Sequence, residues 1–116
     1  MHDLEVTDLV VAPDGITGRV TLPGDLPAFD GHFPGRPILP GVAQLLLALR
    51  LLEQALGRRV LLNRVQRMKF SSTVPPDTVL SFHLVPDAAV TRLAWSLSTP
   101  RAEASSGVAE IALETP

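Results

Sequence analysis

The chain has 116 residues, of which 46% are hydrophobic and 19% charged, with a formal net charge of −2 and no cysteine. This composition predicts one globular domain over residues 1–116, and it excludes disulfide bonds, thiol catalysis and thiolate metal sites. The small negative charge argues against bulk affinity for nucleic acid. Because no apolar run reaches the roughly 18 residues of a membrane span and the acidic N-terminus lacks an apolar signal core, we expect a cytoplasmic protein with no membrane partner.

The first two predicted elements are strands joined by a turn. Residues 4–11 are predicted to form a strand, and the Pro-Asp-Gly sequence at 13–15 is typical of a turn. Residues 16–22 alternate, which places Ile16 and Val20 on one face of a second strand. The sequence therefore predicts that the first two strands pair in antiparallel orientation.

A long loop follows at residues 23–40. It contains five prolines in eighteen residues and shows no hydrophobic period. Unpatterned segments of this length in small domains are usually functional or disordered, and the aromatic and apolar residues favour an ordered, packed loop. Its only histidine, His32, stands nine residues before Gly41.

The pattern over residues 41–56 predicts a helix, which Gly57 ends as a C-terminal cap. From Val42 to Leu49 every residue except Gln44 is apolar. A helix that is apolar on all sides is usually buried on all sides, so the pattern predicts a sheet curled around this helix.

The rest of the chain is predicted to form strands, which can pair as a four-stranded antiparallel meander. The predicted class is α+β, with an antiparallel sheet of about six strands wrapped around one central helix. In the strand that contains His83, this side chain is predicted to point to the polar face. The four predicted strands cover residues 60–70, 78–85, 90–98 and 103–113.

The residues before the helix have a chemical implication of their own. The first N–H groups of a helix lack intrahelical acceptors and carry a partial positive charge. A histidine beside such groups is a suitable arrangement for removing a proton next to an activated carbonyl, because the N–H groups stabilise the developing oxyanion. His32 and Gly41 are therefore the candidate catalytic pair.

Two segments carry a resemblance to a known family. GHFPGRPILPG, at residues 31–41, resembles the GHFPG-x-P-x-x-PG loop of the 3-hydroxyacyl-[acyl carrier protein] dehydratase family, and MKFSSTVPPDTV, at residues 68–79, resembles a strand and turn of that family. PILPGVAQL further resembles the short subgroup of thioester dehydratases found in aryl-polyene and related polyketide-like clusters. The resemblance implies a hot-dog fold and a homodimer in which each site takes a loop from one subunit and a helix from the other.

The resemblance also implies residue roles. His32 would take the proton from the carbon next to the thioester carbonyl, and the Gly41 N–H would hold the carbonyl oxygen. An apolar tunnel beside the helix is expected to hold the acyl tail, with an ordinary filled core as the alternative. The substrate-binding residues expected on this basis are Phe33, Gly35, Pro40, Val42, Gln44, Leu45, Leu46, Leu49 and Phe70.

One position departs from the family pattern. Leu46 stands five residues after Gly41, where the family has a carboxylate that helps the hydroxyl leave as water. Glu53 is seven residues further, or about 10 Å along a helix, which is too far to share one hydroxyl with His32. Three functions therefore stay open: a dehydratase or the reverse hydratase, a non-catalytic acyl-binding subunit that pairs with a homologous chain, and a hot-dog thioesterase.

The basic residues are concentrated after the helix, where five of the ten lie between residues 58 and 69. A solvated strand face is one interpretation. The other is a docking patch for an acyl carrier protein, with Arg64 or Arg67 guiding the phosphopantetheine arm to the site. No Asp, Glu or His cluster has the spacing of metal ligands, and no cofactor motif is present. We therefore expect neither a bound metal nor a cofactor.

Overall fold

The computed structural model describes residues 4–22, 39 and 41–115. Across these residues the chain forms one helix and one antiparallel sheet of six strands, which confirms the predicted α+β class. The helix and the strands at 60–70 and 103–113 have the predicted bounds, and the other strands differ from prediction by one or two residues at an end. In chain order the elements are β1 (Val6–Ala12), β2 (Gly15–Thr21), α1 (Gly41–Leu56), β3 (Val60–Phe70), β4 (Val79–Pro86), β5 (Arg92–Ser98) and β6 (Glu103–Leu113).

The strand order corrects the predicted four-stranded meander. The sheet runs β1-β2-β4-β5-β6-β3, so only β4, β5 and β6 form a meander. β3 pairs with β6 and lies at one edge, and β4 pairs with β2 instead of β3. The chain therefore crosses the sheet between β3 and β4, a long-range connection that local periodicity does not encode.

The core lies between α1 and the inner face of the sheet. The predicted alternation is confirmed in β4 and β5, where every second side chain is buried. His83, between two buried neighbours in β4, is exposed as expected, and its ring Nε2 lies 3.4 Å from the Asp14 carbonyl oxygen. The buried inner residues of these two strands are Leu80, Phe82, Leu84, Leu93, Trp95 and Leu97.

The helix is not buried on all sides, which corrects the prediction made from its apolar residues. One side packs on β3, β4 and β5. On the other side Val42 is 61% exposed and Leu46 is 51% exposed. The apolar pattern therefore reflects two surfaces, one facing the sheet of this chain and one left open in a single chain.

The C-terminal end of α1 is fixed by its glycine and by one carboxylate. Gly57 has a φ of +67°, and the N–H groups of Gly57 and Arg58 both donate to the Glu53 carbonyl oxygen. This is the pattern that satisfies the last helix carbonyls. The Glu53 side chain also accepts a hydrogen bond from the Val60 N–H at 2.8 Å, which connects α1 to the start of β3. Neither α1 nor any other described segment is a helix long and apolar enough to cross a membrane.

Candidate functional site

The candidate site lies where α1 begins. Gly41 is the first helical residue, and the ring of Phe70, at the end of β3, packs directly on it. A Cβ built on Gly41 would lie 2.5 Å from Phe70 Cζ, so a side chain at position 41 and the present ring position exclude each other. Phe70 is 47% exposed, so this ring lies at the boundary between the core and the solvent.

The loop that precedes this point is represented by a single described residue. The N–H of Leu39 donates to the Val74 carbonyl oxygen at 2.7 Å, and both side chains are buried. The end of the loop is thus fixed to the segment between β3 and β4, and α1 starts two residues later. Four of the sequence-predicted site residues lie outside the described residues, namely His32, Phe33, Gly35 and Pro40.

Gln44 is the polar residue of this helix end. Its side chain is only 2% exposed, and its Nε2 donates a long hydrogen bond of 3.5 Å to the Leu39 carbonyl oxygen. Its Oε1 is buried and has no hydrogen-bond partner among the described residues. A buried amide acceptor without a donor is costly, so this atom is a candidate ligand contact.

The predicted tunnel residues on α1 differ in exposure. Leu45 and Leu49 are one helical turn apart and are buried against the sheet. Leu46 and Val42 are also one turn apart but lie on the exposed side. That these three residues line one tunnel stays a prediction. Phe70 is brought to the helix start instead, next to Gly41.

The structure also accounts for the nearest helical acid. Glu53 is occupied at the far end of α1, because its carboxylate accepts from the Val60 N–H and lies 3.5 Å from the Arg50 guanidinium. The first turn of α1 contains no acidic residue. α1 thus brings no carboxylate to its own N-terminal end.

The two predicted docking arginines differ in their surroundings. Arg64 forms an ion pair with Glu110 on β6, with 2.8 Å between Nε and the carboxylate oxygen. Arg67 makes no ion pair with any described residue, and it borders two shallow grooves, one over β3, β5 and β6 and one that also reaches β4 and Asp87. Lys69 borders the first groove and Arg92 the second. Arg67 is therefore the more available cation.

One buried polar residue was not singled out from the sequence. Ser105 of β6 is fully buried, its Oγ has no partner among the described residues, and it lies directly opposite Phe70 in the sheet. The alternation of β6 places Ser105 on the same face as the buried Ala109 and Ile111. The sequence pattern of this strand could therefore have predicted that Ser105 points inward. The described ranges contain no group of three or more acidic or histidine side chains that could hold a metal ion.

The sheet order and the helix α1 packed on the sheet define a hot-dog protein. A chain of the dehydratase heterocomplex ApeI:P from Xenorhabdus doucetiae superimposes with a TM-score of 0.80 at 22% identity, covering 96% of this chain and 99% of that one. A hypothetical thioesterase protein with coenzyme A from Streptococcus pneumoniae gives a TM-score of 0.65 at 8% identity over 95% and 84% of the two chains. At these identities the similarity establishes the fold alone.

The family follows from the sequence. The profile of the ApeI-like family, described as ApeI dehydratase, matches residues 10–108. The chain therefore belongs to the ApeI-like dehydratase family, which confirms the resemblance found in the loop before α1.

Curated relatives carry related names. The chain is 36% identical over 80 residues to the 3-hydroxyacyl-[acyl-carrier-protein] dehydratase FabZ of Rickettsia massiliae, covering 62% of this chain and 55% of that protein. It is 35% identical over 82 residues to the bifunctional enzyme LpxC/FabZ of Porphyromonas gingivalis, covering 64% of this chain and 18% of that protein. The match thus spans about half the length of the first relative and less than a fifth of the second.

Proposed function

We propose that this protein is a dehydratase, or the reverse hydratase, for 3-hydroxyacyl chains carried as thioesters on an acyl carrier protein. The observation that carries the proposal is the start of α1 at Gly41, directly after a loop with the GHFPG-x-P-x-x-PG spacing, in a chain of the ApeI-like dehydratase family. Fatty acid or aryl-polyene-type polyketide synthesis is the proposed context of such a substrate.

The proposed elimination uses one histidine and one backbone donor. The His32 imidazole takes the proton from C2, the freed electron pair forms the C2–C3 double bond, and the C3–O bond breaks. The hydroxyl leaves as water with the proton that His32 returns. An imidazole titrates near neutral pH without tuning, which suits both steps. The Gly41 N–H stabilises the enolate oxygen, a contribution typically worth about 3 kcal/mol of barrier.

A second function is favoured by one specific observation. Position 46 carries leucine, and within α1 the nearest acid, Glu53, is held at the far end by Val60 and Arg50. Losing a general acid typically costs about 10² to 10⁴ in rate. The alternative is therefore a non-catalytic acyl-binding subunit whose homologous partner supplies the missing carboxylate.

Assembly with a second chain is part of both proposals. The 11-residue strand β3 is an edge of the sheet, and an open edge is normally covered or paired. Leu61 on this strand and Val42 and Leu46 on α1 leave apolar surface exposed. We therefore assign this side to a homodimer contact, or to a contact with a homologous subunit. The similar Xenorhabdus doucetiae protein occurs in a heterocomplex by its description, which supports the second form.

The proposed carrier protein docks on the basic outer face. Carrier proteins are acidic and deliver the acyl chain on a phosphopantetheine arm. Arg67, which has no ion-pair partner among the described residues, and Lys69 lie on β3, whose last residue, Phe70, packs on the helix start. A carrier held at these residues has its arm near Gly41.

The test separates the three open functions in one assay. The wild-type chain is mixed with a 3-hydroxyacyl thioester of the carrier and of pantetheine, and 2-enoyl formation and free thiol are both recorded. A dehydratase forms the 2-enoyl product, a thioesterase releases thiol, and a binding subunit does neither. Light scattering on every sample shows that a change in activity is not a change in assembly.

Two variants assign the chemistry. His32→Ala should abolish 2-enoyl formation, and Leu46→Glu should raise it or leave it unchanged. Activity that appears only with Leu46→Glu would identify the missing acid as the sole defect and support the binding-subunit alternative for the native chain. Wild-type turnover that survives His32→Ala would overturn the proposed mechanism.

A further inference from the structure

The inference starts from the unpartnered acceptor on Gln44. This side chain is buried to 98% of its surface on the sheet-facing side of α1, and its Oε1 meets no hydrogen-bond donor among the described residues. The amide orientation follows from chemistry, because the opposite orientation would place Oε1 against the Leu39 carbonyl oxygen, an acceptor against an acceptor. Among the described residues, this acceptor therefore has no donor.

The position of this acceptor is defined by the other half of the same amide. Nε2 is bonded to the Leu39 carbonyl oxygen, so Oε1 lies at the N-terminal end of α1, one turn from Gly41. The residue before the helix is proline, which has no side-chain oxygen to cap the first N–H groups, and the first turn has no acid. The helix start thus offers donors on the backbone and an acceptor on Gln44.

Backbone donors beside the Gln44 acceptor favour a ligand that has a hydrogen-bond acceptor and a donor at the matching positions. A thioester carbonyl supplies an acceptor for the backbone N–H groups, and a hydroxyl on C3 supplies a donor two carbons away. A saturated acyl chain has no donor at C3, and a 3-oxoacyl chain presents a second acceptor, which Oε1 would repel. A site that hydrogen-bonds a hydroxyl discriminates against analogues that lack it, since its buried polar atom is then left unpaired.

We propose that Gln44 recognises the substrate's 3-hydroxyl group by accepting its hydrogen bond on Oε1, an inference that rests on the proposed 3-hydroxyacyl function. Gln44 then sets specificity and orients the hydroxyl, while an amide, with no useful acidity, leaves the proton transfers to other groups. This role belongs to the sheet-facing side of α1, whereas the position of the missing carboxylate, Leu46, is on the exposed side.

Ser105 provides the matched control. It is a second buried polar residue with no partner among the described residues, and it lies opposite Phe70, whose ring packs on Gly41. If Gln44 were only a buried polar residue without a partner, removing the polar group of Gln44 or of Ser105 would stabilise the fold and leave ligand preference unchanged. The proposal expects a change in ligand preference for Gln44 but not for Ser105, because of these two residues only Gln44 lies in the first turn of α1.

The experiment measures equilibrium binding to the full chain of three amide-linked pantetheine analogues, which resist turnover. They are the 3-hydroxyacyl, 3-oxoacyl and saturated forms of one chain length. The wild type should prefer the 3-hydroxy form over the saturated one by about three- to tenfold, the range of one neutral hydrogen bond. Gln44→Leu should abolish this preference without weakening the saturated analogue, and its melting temperature should be unchanged or higher.

The outcomes are distinguishable. If a folded wild type binds no acyl analogue, the proposed function fails and this inference falls with it. If all three analogues bind equally, the inference alone is wrong. A preference that survives Gln44→Leu, or one that Ser105→Ala also removes, contradicts the inference as well. Should Gln44→Leu fail to fold, Gln44→Met gives the same comparison with an unbranched apolar chain of similar length.

Discussion

At the scale of single residues, two neighbours on α1 have opposite surroundings. Gln44 is buried against the sheet and Leu46 is half exposed on the other side, because two helical positions differ by about 200° around the axis. The polar residue therefore serves the interior of this chain, and the apolar residue lies where a second chain would bring its own groups. In the proposed dimer, this part of α1 would therefore contribute to two different surroundings, one in its own chain and one at the partner subunit.

The contact between Gly41 and Phe70 gives the first residue-scale prediction. Gly41→Ala places a Cβ where the Phe70 ring now lies, and overpacking of this kind typically costs about 1–3 kcal/mol. We expect lower stability and lower 2-enoyl formation, since the ring and the first N–H group are displaced together. Both are measured by thermal unfolding and by the product assay.

A double-mutant cycle tests that cause. In a Phe70→Ala background the three atoms nearest to the added methyl group are absent, so Gly41→Ala should then cost less than about 0.5 kcal/mol. An equal cost in both backgrounds would show that the strain lies in the backbone and not in the ring.

The second residue-scale prediction concerns Arg67, for which the described part of the chain supplies no ion-pair partner. Arg67→Glu should raise the Michaelis constant for carrier-linked substrate by about three- to tenfold at low salt, less at high salt, because exposed charges act on docking and are screened. Small pantetheine thioesters should be processed unchanged. Arg101→Glu is the control, since Arg101 is exposed, has no described ion pair and lies before β6. An equal effect of both variants would show that the change in the Michaelis constant comes from net charge and not from docking at Arg67.

At the scale of elements, the turn between β4 and β5 is organised by one carboxylate. Asp87 accepts hydrogen bonds from the Thr91 hydroxyl at 2.7 Å and from the N–H groups of Thr91 and Arg92 at 2.7 and 2.9 Å. These bonds, the Thr91 hydroxyl first, hold the pKa of Asp87 below its ordinary value of 3.8. Since the charged form is the bonded form, its stabilisation is present above pH 3.8 and is lost as the pH falls through the lower folded-state pKa.

Asp87→Asn should therefore lower the melting temperature at pH 7, and the difference from wild type should shrink below pH 3.8. Unfolding is followed by the fluorescence of Trp95, the chain's single tryptophan, which is buried in β5. Asp14→Asn is the control in the turn between β1 and β2, because the Asp14 side chain makes no hydrogen bond with the described residues. A difference for Asp87→Asn that is constant with pH would exclude the charged hydrogen bonds as its cause.

At the scale of the whole molecule, exposed apolar side chains lie on β3 and α1 and also on β1 at the opposite edge, and the proposed dimer contact is assigned to the β3 side. Val42→Arg places a charge on the exposed side of α1, and a charge at the core of an interface is poorly tolerated. We expect the wild type to be a dimer at micromolar concentration and this variant to dissociate, as measured by light scattering, while its α+β circular dichroism is retained.

Val10→Arg is the matched control for this prediction. Val10 is exposed to a similar extent, but it lies in β1 at the opposite edge of the sheet. It should leave the dimer intact. A monomeric wild type, or dissociation by Val10→Arg alone, would contradict the assignment of the β3 side.

The sequence by itself determined the helix and the strands, and their ends to within two residues. Alternation defines strands, and punctuation by Pro40 and Gly57 defines the helix, because these signals act over a few residues. The loop spacing before Gly41 also identified the family, which the profile match confirmed. The proposed role of His32 comes from the same spacing and remains a prediction, since this residue lies outside the described residues.

Only the tertiary structure decided how these elements combine. The pairing of β3 with β6 joins residues far apart in the chain, so no local pattern distinguishes it from the meander of four strands. The same limit applies to α1, whose apolar residues predict burial without stating against what. In the structure Leu45 is buried and Leu46 is exposed. Apolar character favours the burial of both side chains, but the packing of the helix on the sheet decides which of them is covered within this chain.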